Sequence, residues 1–144
     1  MMRNESIVRT PSRKARHTDR WTEIILRAVS TKVAKRWRFV SFRGKNHGEW
    51  RGVVDVVALR KNTGDPGRTP LRRGDLFEII LIQMKGGSAR RPSLEERQRL
   101  RVVARYYRAR AVVLFEWNRG KKTAFSELTR RLEWEASTGQ RIFG

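Results

Sequence analysis

Two apolar blocks, GVVDVVAL at residues 52–59 and FEIILIQ at residues 77–83, constrain the fold of this chain more than any other feature. Alternate residues of a strand point to opposite faces, and in both blocks the two alternating sets are largely apolar. A strand that is apolar on both faces is usually covered on both faces. The two blocks therefore predict central strands of a sheet with other elements packed on each side.

Around these blocks, the sequence predicts an α/β fold in the order helix, strand, strand, strand, helix, strand. The four predicted strands cover residues 37–42, 50–60, 76–85 and 111–117. A long turn rich in Gly and Pro, residues 61–75, separates the second strand from the third. We expect these two strands to pair as a hairpin.

The helices are predicted from capping residues and apolar stripes. The first begins near Asp19 and places Ile25 and Val29 on its apolar stripe. The second begins after Ser93, because Ser93 and Glu96 have the spacing of a capping box. The buried stripe predicted for this second helix consists of Leu100, Val103, Ala104, Tyr106 and Tyr107. A last helix is predicted over residues 126–136.

The length of the chain, 144 residues, is that of one compact domain. Residues 1–17 contain no periodic set of apolar residues, so we expect them to form a flexible basic arm. The predicted organisation is therefore this arm followed by a single domain over residues 18–144. The oligomeric state stays open at this stage.

The charge of the chain points to a polyanionic partner. The formal net charge is +20, and 26 of the 34 basic residues are Arg. The planar guanidinium group of Arg binds two phosphate oxygens at once, and a strongly basic surface attracts nucleic acid over long range. A membrane-binding chain would concentrate its basic residues on one amphipathic helix, whereas here they are spread along the whole sequence. Nucleic acid, with DNA first, is the expected partner, and no membrane is expected.

Several classes of site are excluded by residue types that are absent or isolated. The chain has no Cys, which excludes disulfides, thiolate zinc sites and a Cys nucleophile. His17 and His47 have no partner at metal-ligand spacing. No apolar stretch approaches the roughly 20 residues needed to cross a bilayer, and the first residues lack the apolar centre of a signal peptide. We expect a cytoplasmic protein.

Asp55 is the unusual residue of the first apolar block, because a carboxylate inside an apolar strand needs a cation. Lys85, an Arg or a metal ion are the candidates. Gln83 and Lys85 share one face of the third predicted strand, at the end where Gly86 follows. A hairpin between the two strands would bring Asp55 close to both. Their carboxylate and amide oxygens are ligands for a divalent ion such as Mg²⁺ or Mn²⁺.

With Asp55 in one strand and Gln83-Met84-Lys85 at the end of the next, followed by a helix and a strand, the chain resembles the PD-(D/E)XK nuclease superfamily. The nearest branches are the archaeal Holliday-junction resolvases and the VRR-NUC proteins, the latter through QMKGGSARRPSLEERQRL at residues 83–100. The resemblance implies a restriction-endonuclease-like core, a mixed sheet flanked by helices. It also implies that Asp55, the Gln83 side-chain oxygen and the Met84 carbonyl bind Mg²⁺ while Lys85 orients the attacking water.

The sequence also departs from the pattern of that superfamily. Most members carry an acid where this chain has Gln83, and the amide removes a negative charge from the site. A further acid commonly joins such sites, and Glu23 on the first helix and Glu49 before the second strand are the candidates. Asp55 and Lys85 have a second reading, as an interior ion pair with no chemistry.

The function expected from these residues is metal-dependent hydrolysis of DNA phosphodiester bonds, with branched or flapped DNA as candidate substrates. The alternative is a nucleic-acid-binding protein on the same fold whose catalytic activity was lost with the change to Gln83. A basic structural protein bound to RNA is a weaker option. Cleavage in Mg²⁺ or Mn²⁺ distinguishes the first two, whereas the choice between endonuclease and exonuclease stays open.

Overall fold

A six-stranded mixed sheet forms the centre of the protein. The computed structural model describes residues 22–42, 52–86, 90–117 and 123–144. The strands are β1 (Arg38–Ser41), β2 (Val56–Lys61), β3 (Phe77–Gly86), β4 (Ala111–Trp117), β5 (Ala124–Leu128) and β6 (Trp134–Ser137). They lie side by side in chain order, and every neighbouring pair is antiparallel except β3 and β4. The chain thus has a mixed α/β fold, as the two apolar blocks predict.

Four helices flank this sheet. Residues 22–28 are helical and form the described part of α1. The others are α2 (Thr31–Ala34), α3 (Leu94–Tyr107) and α4 (Gly139–Phe143). The long helix α3 connects β3 to β4, which is why those two strands are parallel.

Each face of the sheet has its own apolar core. The larger cluster joins strand residues such as Ile80, Ile82 and Phe115 to Ile25 and Val29 and to α4. The smaller cluster joins Leu81, Val112 and Leu128 to Leu100 and Ala104 of α3. Because β2, β3 and β4 contribute to both clusters, their side chains are apolar on both faces, which agrees with the sequence pattern.

The helix α3 begins where the sequence predicts. Ser93 Oγ accepts the backbone N–H of Glu96, and the Glu96 carboxylate accepts the backbone N–H of Ser93, each at 3.2 Å. This reciprocal pair is the predicted capping box. The predicted buried stripe is correct for Leu100 and Ala104 but wrong for Tyr106 and Tyr107, which are 79% and 56% exposed. Tyr106 is two residues from Ala104 and so lies on the opposite side of the helix, whereas Tyr107 is its last residue.

The last predicted helix is wrong, because residues 124–137 form a hairpin of β5 and β6 instead. The spacing of Phe125, Leu128 and Leu132 is three and four residues, which is typical of a helical stripe. An odd spacing also places two strand residues on opposite faces, and here Phe125 belongs to the larger cluster and Leu128 to the smaller one. This segment forms a strand and not a helix because β5 pairs with β4.

Two further boundaries differ from the prediction. The first helix is interrupted at Ser30, whose hydroxyl accepts the N–H of Val33 and begins α2 as a separate turn. Asp55 lies just before β2 and outside its regular pairing, which starts at Val56.

The predicted basic arm at residues 1–17 lies outside the described residues. In the part of the chain that the structure describes, no helix combines the length and the hydropathy needed to cross a membrane.

Candidate active site

The predicted site residues meet at the end of β3 where this strand leads toward α3. Asp55 precedes β2 next to this end, Gln83 and Lys85 lie on β3, and the first turn of α3 supplies Glu96. The antiparallel pairing of Val56 with Ile82 determines this arrangement, since it places the residue before β2 beside the last residues of β3. The predicted convergence of Asp55, Gln83 and Lys85 at one end of the sheet is therefore present.

The Asp55 carboxylate lies against the β3 backbone. Its Oδ2 accepts the N–H of Met84 at 2.8 Å, while the Asp55 N–H donates to the carbonyl of Ile82 at 3.0 Å. The side chain thus replaces the backbone partner that a longer β2 would give to Met84. Asp55 is half-buried, and these two bonds hold its carboxylate at the edge of the site instead of inside the core.

Gln83 is the buried polar residue of the site, with 4% of its surface exposed. Its Nε2 donates to Glu96 Oε2 at 3.3 Å. Since the carboxylate is an acceptor only, this bond directs the amide nitrogen toward Glu96 and the amide oxygen away from it. The Gln83 Oε1 atom is fully buried and has no hydrogen-bond partner among the described residues. An unpaired buried acceptor costs about 1–3 kcal/mol, so this oxygen is available to accept from a water or to bind a cation.

Lys85 is half-buried and lies opposite Glu116 of the parallel strand β4. The Glu116 carboxylate, however, is paired with Arg91, with an N–O distance of 2.7 Å. Within the described ranges of the chain, Lys85 forms no ion pair. The second reading of the sequence, an ion pair between Asp55 and Lys85, is therefore wrong. The Lys85 ammonium group is available to a bound anion.

Glu96 is the site residue that the sequence revealed only as a helix cap. Burial raises the pKa of the Glu96 carboxyl, but the Ser93 backbone N–H, the Lys85 charge and the Gln83 amide outweigh it, so this pKa is below its ordinary value. Glu96 is therefore an anion at neutral pH. The signal in the sequence was its place in the first turn of the helix after β3, which must lie near the end of that strand.

Three oxygen atoms at this end of the sheet are of the kind that a hard divalent cation prefers. They are the Asp55 carboxylate, the unpaired Gln83 Oε1 and the Met84 carbonyl, which points to the same side of β3 as the Met84 N–H. Mg²⁺ is commonly held by one or two carboxylates and keeps several waters. The described residues contain no group of three or more His, Asp or Glu side chains suited to a metal ion, so Gln83 is needed to complete the donor set.

Glu23 and Glu49 are the two additional acids predicted for the site. Glu23 lies on α1, which packs through Ile25 on the opposite face of the sheet from α3. Its side chain is exposed and 3.9 Å from Arg27. The structure thus does not bring Glu23 to Asp55. Glu49 lies outside the described residues.

Comparisons with known proteins add no identification. No protein-family model matches the chain, no curated protein matches its sequence, and no solved structure matches its fold. The geometry of this site and the charge of the chain are therefore the features that indicate a function.

Proposed function

We propose that this protein is a metal-dependent nuclease that hydrolyses DNA phosphodiester bonds, built on a restriction-endonuclease-like core. The observation that supports it most is the group of Asp55, Gln83 and Lys85 at one end of the sheet. This group combines a carboxylate, a buried amide oxygen without a partner and an ammonium group without an ion pair. Such a set has the chemistry to hold a divalent cation beside a phosphate anion.

Asp55, Gln83 Oε1 and the Met84 carbonyl are the groups that would hold Mg²⁺ or Mn²⁺. The ion, when bound, would supply a Lewis acid that withdraws charge from the phosphate. The Gln83 amide is fixed by its bond to Glu96, so its oxygen is already directed before any ligand arrives. The capping box fixes Glu96 in turn, since its other oxygen accepts the Ser93 N–H. This rigidity is what a site needs to orient its reactants.

Lys85 provides the positive charge that the protein itself would add to that of the metal ion. Its ammonium group donates to a phosphate oxygen and to the water that attacks the phosphorus. In the reaction the water oxygen forms a new bond to phosphorus and one P–O ester bond breaks. The attacking water gives up a proton and the leaving oxygen takes up one, so that one water is consumed, one alcohol is released and protons balance. The ammonium stabilises the negative charge that grows on the phosphate oxygens.

The distribution of charge supports a nucleic acid as the substrate. From residue 97 to residue 115, along α3 and into β4, the chain has six Arg and no acid. Three of these Arg side chains are exposed and, in the described structure, form no ion pair: Arg99, Arg105 and Arg108. This helix therefore carries positive charge away from the site along one side of the protein.

The test is cleavage of plasmid, flapped and four-way-junction DNA in Mg²⁺ and in Mn²⁺, with EDTA as the metal-free control. We expect the wild-type protein to cut at least one of these substrates. Lys85→Ala should reduce the rate by about a hundredfold or more, because the charge at the phosphate is lost. Lys61→Ala is the matched control, since it removes an exposed lysine from the other end of the same sheet. Its rate should remain that of the wild type.

A chain that binds DNA but cuts none of these substrates would overturn the nuclease proposal. The second candidate, a nucleic-acid-binding protein without catalytic activity, would then stand. Its support is the amide at Gln83, where an acid would hold a cation more strongly, and the lack of a three-acid group in the described part of the chain. Equal cleavage by Lys85→Ala and wild type would instead reject this site while leaving hydrolysis in place.

A further inference from the structure

The end of α3 carries an exposed aromatic patch, which consists of Val102, Tyr106 and Tyr107. These residues are 64%, 79% and 56% exposed, respectively. The two tyrosine rings contact each other edge to face, with centroids 4.8 Å apart and planes at 79°. Val102 and Tyr106 are one helical turn apart and so lie on the same side of α3. The patch thus presents an open aromatic face to its surroundings.

The apolar cores do not account for this patch. The side of α3 that packs on the sheet is formed by Leu100 and Ala104, which are 0% and 3% exposed. Burying a large apolar side chain stabilises a protein by about 1.5–3 kcal/mol, so these rings contribute little to the fold where they stand. Single exposed apolar residues are common, but a contiguous group marks a surface for binding.

The charge around the patch indicates the kind of partner. Arg105 and Arg108 flank the two tyrosines in sequence, and Arg99 lies two turns before Tyr106. The side chains of all three are exposed, and in the described structure none has an ion pair. Exposed rings among unpaired Arg side chains are the combination that binds single-stranded nucleic acid, because bases stack on the rings while Arg binds the phosphates.

We infer that the patch of Val102, Tyr106 and Tyr107 binds the unpaired bases of single-stranded DNA. In a duplex each base already stacks on its neighbours, so an external ring has no base face to cover. Unpaired bases expose that face. The choice of DNA over RNA rests on the proposed function, whereas the stacking of unpaired bases on the two rings does not depend on it.

The position of the patch relates it to the candidate active site. Glu96 lies at the start of α3 and Tyr106 near its end, so the two are about 15 Å apart at 1.5 Å per residue. A strand with its bases stacked at about 3.4 Å would cover this distance with four or five nucleotides. The proposed nuclease would therefore act close to unpaired DNA, at a flap, a branch or a frayed end.

The test measures binding in EDTA, where no cleavage occurs. Fluorescence anisotropy would follow a labelled oligothymidylate of about twelve nucleotides, an abasic oligomer of the same length and a matched duplex. We expect Tyr106→Ala and Tyr107→Ala to weaken oligothymidylate binding by about 5- to 30-fold, because a stacking surface is lost. Tyr106→Phe keeps the ring and should bind as the wild type does. All variants should leave the affinity for the abasic oligomer unchanged.

Phe77→Ala is the matched control for the loss of an exposed ring, since Phe77 is 59% exposed at the other end of β3. It should have no effect on any of the three ligands. Equal binding of oligothymidylate by wild type and Tyr106→Ala would overturn the inference, as would an equal loss for the abasic oligomer. Tighter binding of an oligouridylate RNA would reject DNA as the occupant.

The outcomes of this test are separate from those of the nuclease test. If the wild-type protein never cuts DNA but Tyr106→Ala weakens oligothymidylate binding, the nuclease proposal fails and the stacking surface stands. If cleavage depends on Lys85 but Tyr106→Ala does not change binding, the nuclease proposal stands and the stacking surface is rejected. Melting curves for the Tyr variants should match that of the wild type, since both side chains are exposed.

Discussion

The two ends of β3 carry charged residues in opposite states of pairing. At the first end, Glu78 accepts hydrogen bonds from Arg60 and Arg110. The same two Arg side chains also donate to the carbonyls of Phe143 and Gly144. At the other end, Lys85 has no ion pair in the described structure, and Gln83 Oε1 is buried without a partner.

The difference shows that one strand serves two purposes. Arg60 also covers the ring of Trp37, 4.4 Å from its centroid, and Trp37 Nε1 donates to the Phe143 carbonyl at 2.8 Å. The Glu78 end thus connects α4 to the sheet through hydrogen bonds of Arg60, Arg110 and Trp37. At the Lys85 end, by contrast, Gln83 Oε1 has no hydrogen-bond partner and Lys85 has no ion pair among the described residues. This difference is the reason why the proposed function is assigned to the Lys85 end.

The largest expected effect is the loss of cleavage in Asp55→Asn. The amide cannot replace the negative charge that a divalent cation needs, so we expect the rate to fall by about a hundredfold or more. The Asn side-chain oxygen can still accept the Met84 N–H, so stability should change by less than about 1 kcal/mol. Plasmid cleavage and thermal melting measure the two quantities. Strong destabilisation of Asp55→Asn with unchanged cleavage would show that Asp55 stabilises the fold and does not take part in cleavage. The Lys85 end would then resemble the Glu78 end.

An intermediate effect is expected from Glu78→Gln at the paired end. This change removes a charge between two Arg side chains and should lower the free energy of unfolding by about 1.5–3 kcal/mol, with cleavage unchanged. The hydrogen bond from Arg60 is the main cause that lowers the pKa of the Glu78 carboxyl below its ordinary value of 4.5, and the charges of Arg60 and Arg110 add to it.

The pH dependence of the same variant provides its check. Because the pKa of Glu78 is lower in the folded state, its contribution to stability is present above the unfolded value of 4.5 and is lost as the pH falls through the folded value. The melting temperatures of wild type and Glu78→Gln should therefore converge as the pH is lowered below 4.5. A constant difference across this range would show that Glu78 is not the group responsible.

The smallest effect is expected from changes at Gln83 in the absence of DNA. Gln83→Leu removes an unpaired buried acceptor, so its stability should stay within about 1 kcal/mol of the wild type. Gln83→Glu places a carboxylate beside Glu96 and should melt lower than wild type without metal. Mg²⁺ at 10 to 30 times its Kd should restore about 1–2 kcal/mol, more than it adds to the wild type. A metal response equal to that of the wild type would exclude Gln83 as a ligand.

The central part of this protein could be predicted from local sequence signals. The apolar blocks around Asp55 and Gln83 predict β2 and β3, and the Ser93 capping box predicts the start of α3. These signals are local, since alternation and capping depend on residues a few positions apart. The approach of Asp55 to Gln83 and Lys85 was expected from the pairing of the two strands as a hairpin, and the observed register of Val56 with Ile82 produces it.

Other features depend on pairing between segments that are distant in the chain. The segment of Phe125 and Leu128 became a strand because β4 offered an edge to pair with, although its apolar spacing is also that of a helix. Tyr107 follows the apolar stripe of Leu100 and Ala104, but it is the last residue of α3 and stays 56% exposed in the folded protein. The bond from Gln83 to Glu96, and with it the unpaired oxygen of the site, exists because α3 begins beside the end of β3. Local sequence predicts the elements whose pattern is unambiguous, whereas contacts between distant segments determine the state of an ambiguous segment and which polar groups find a partner.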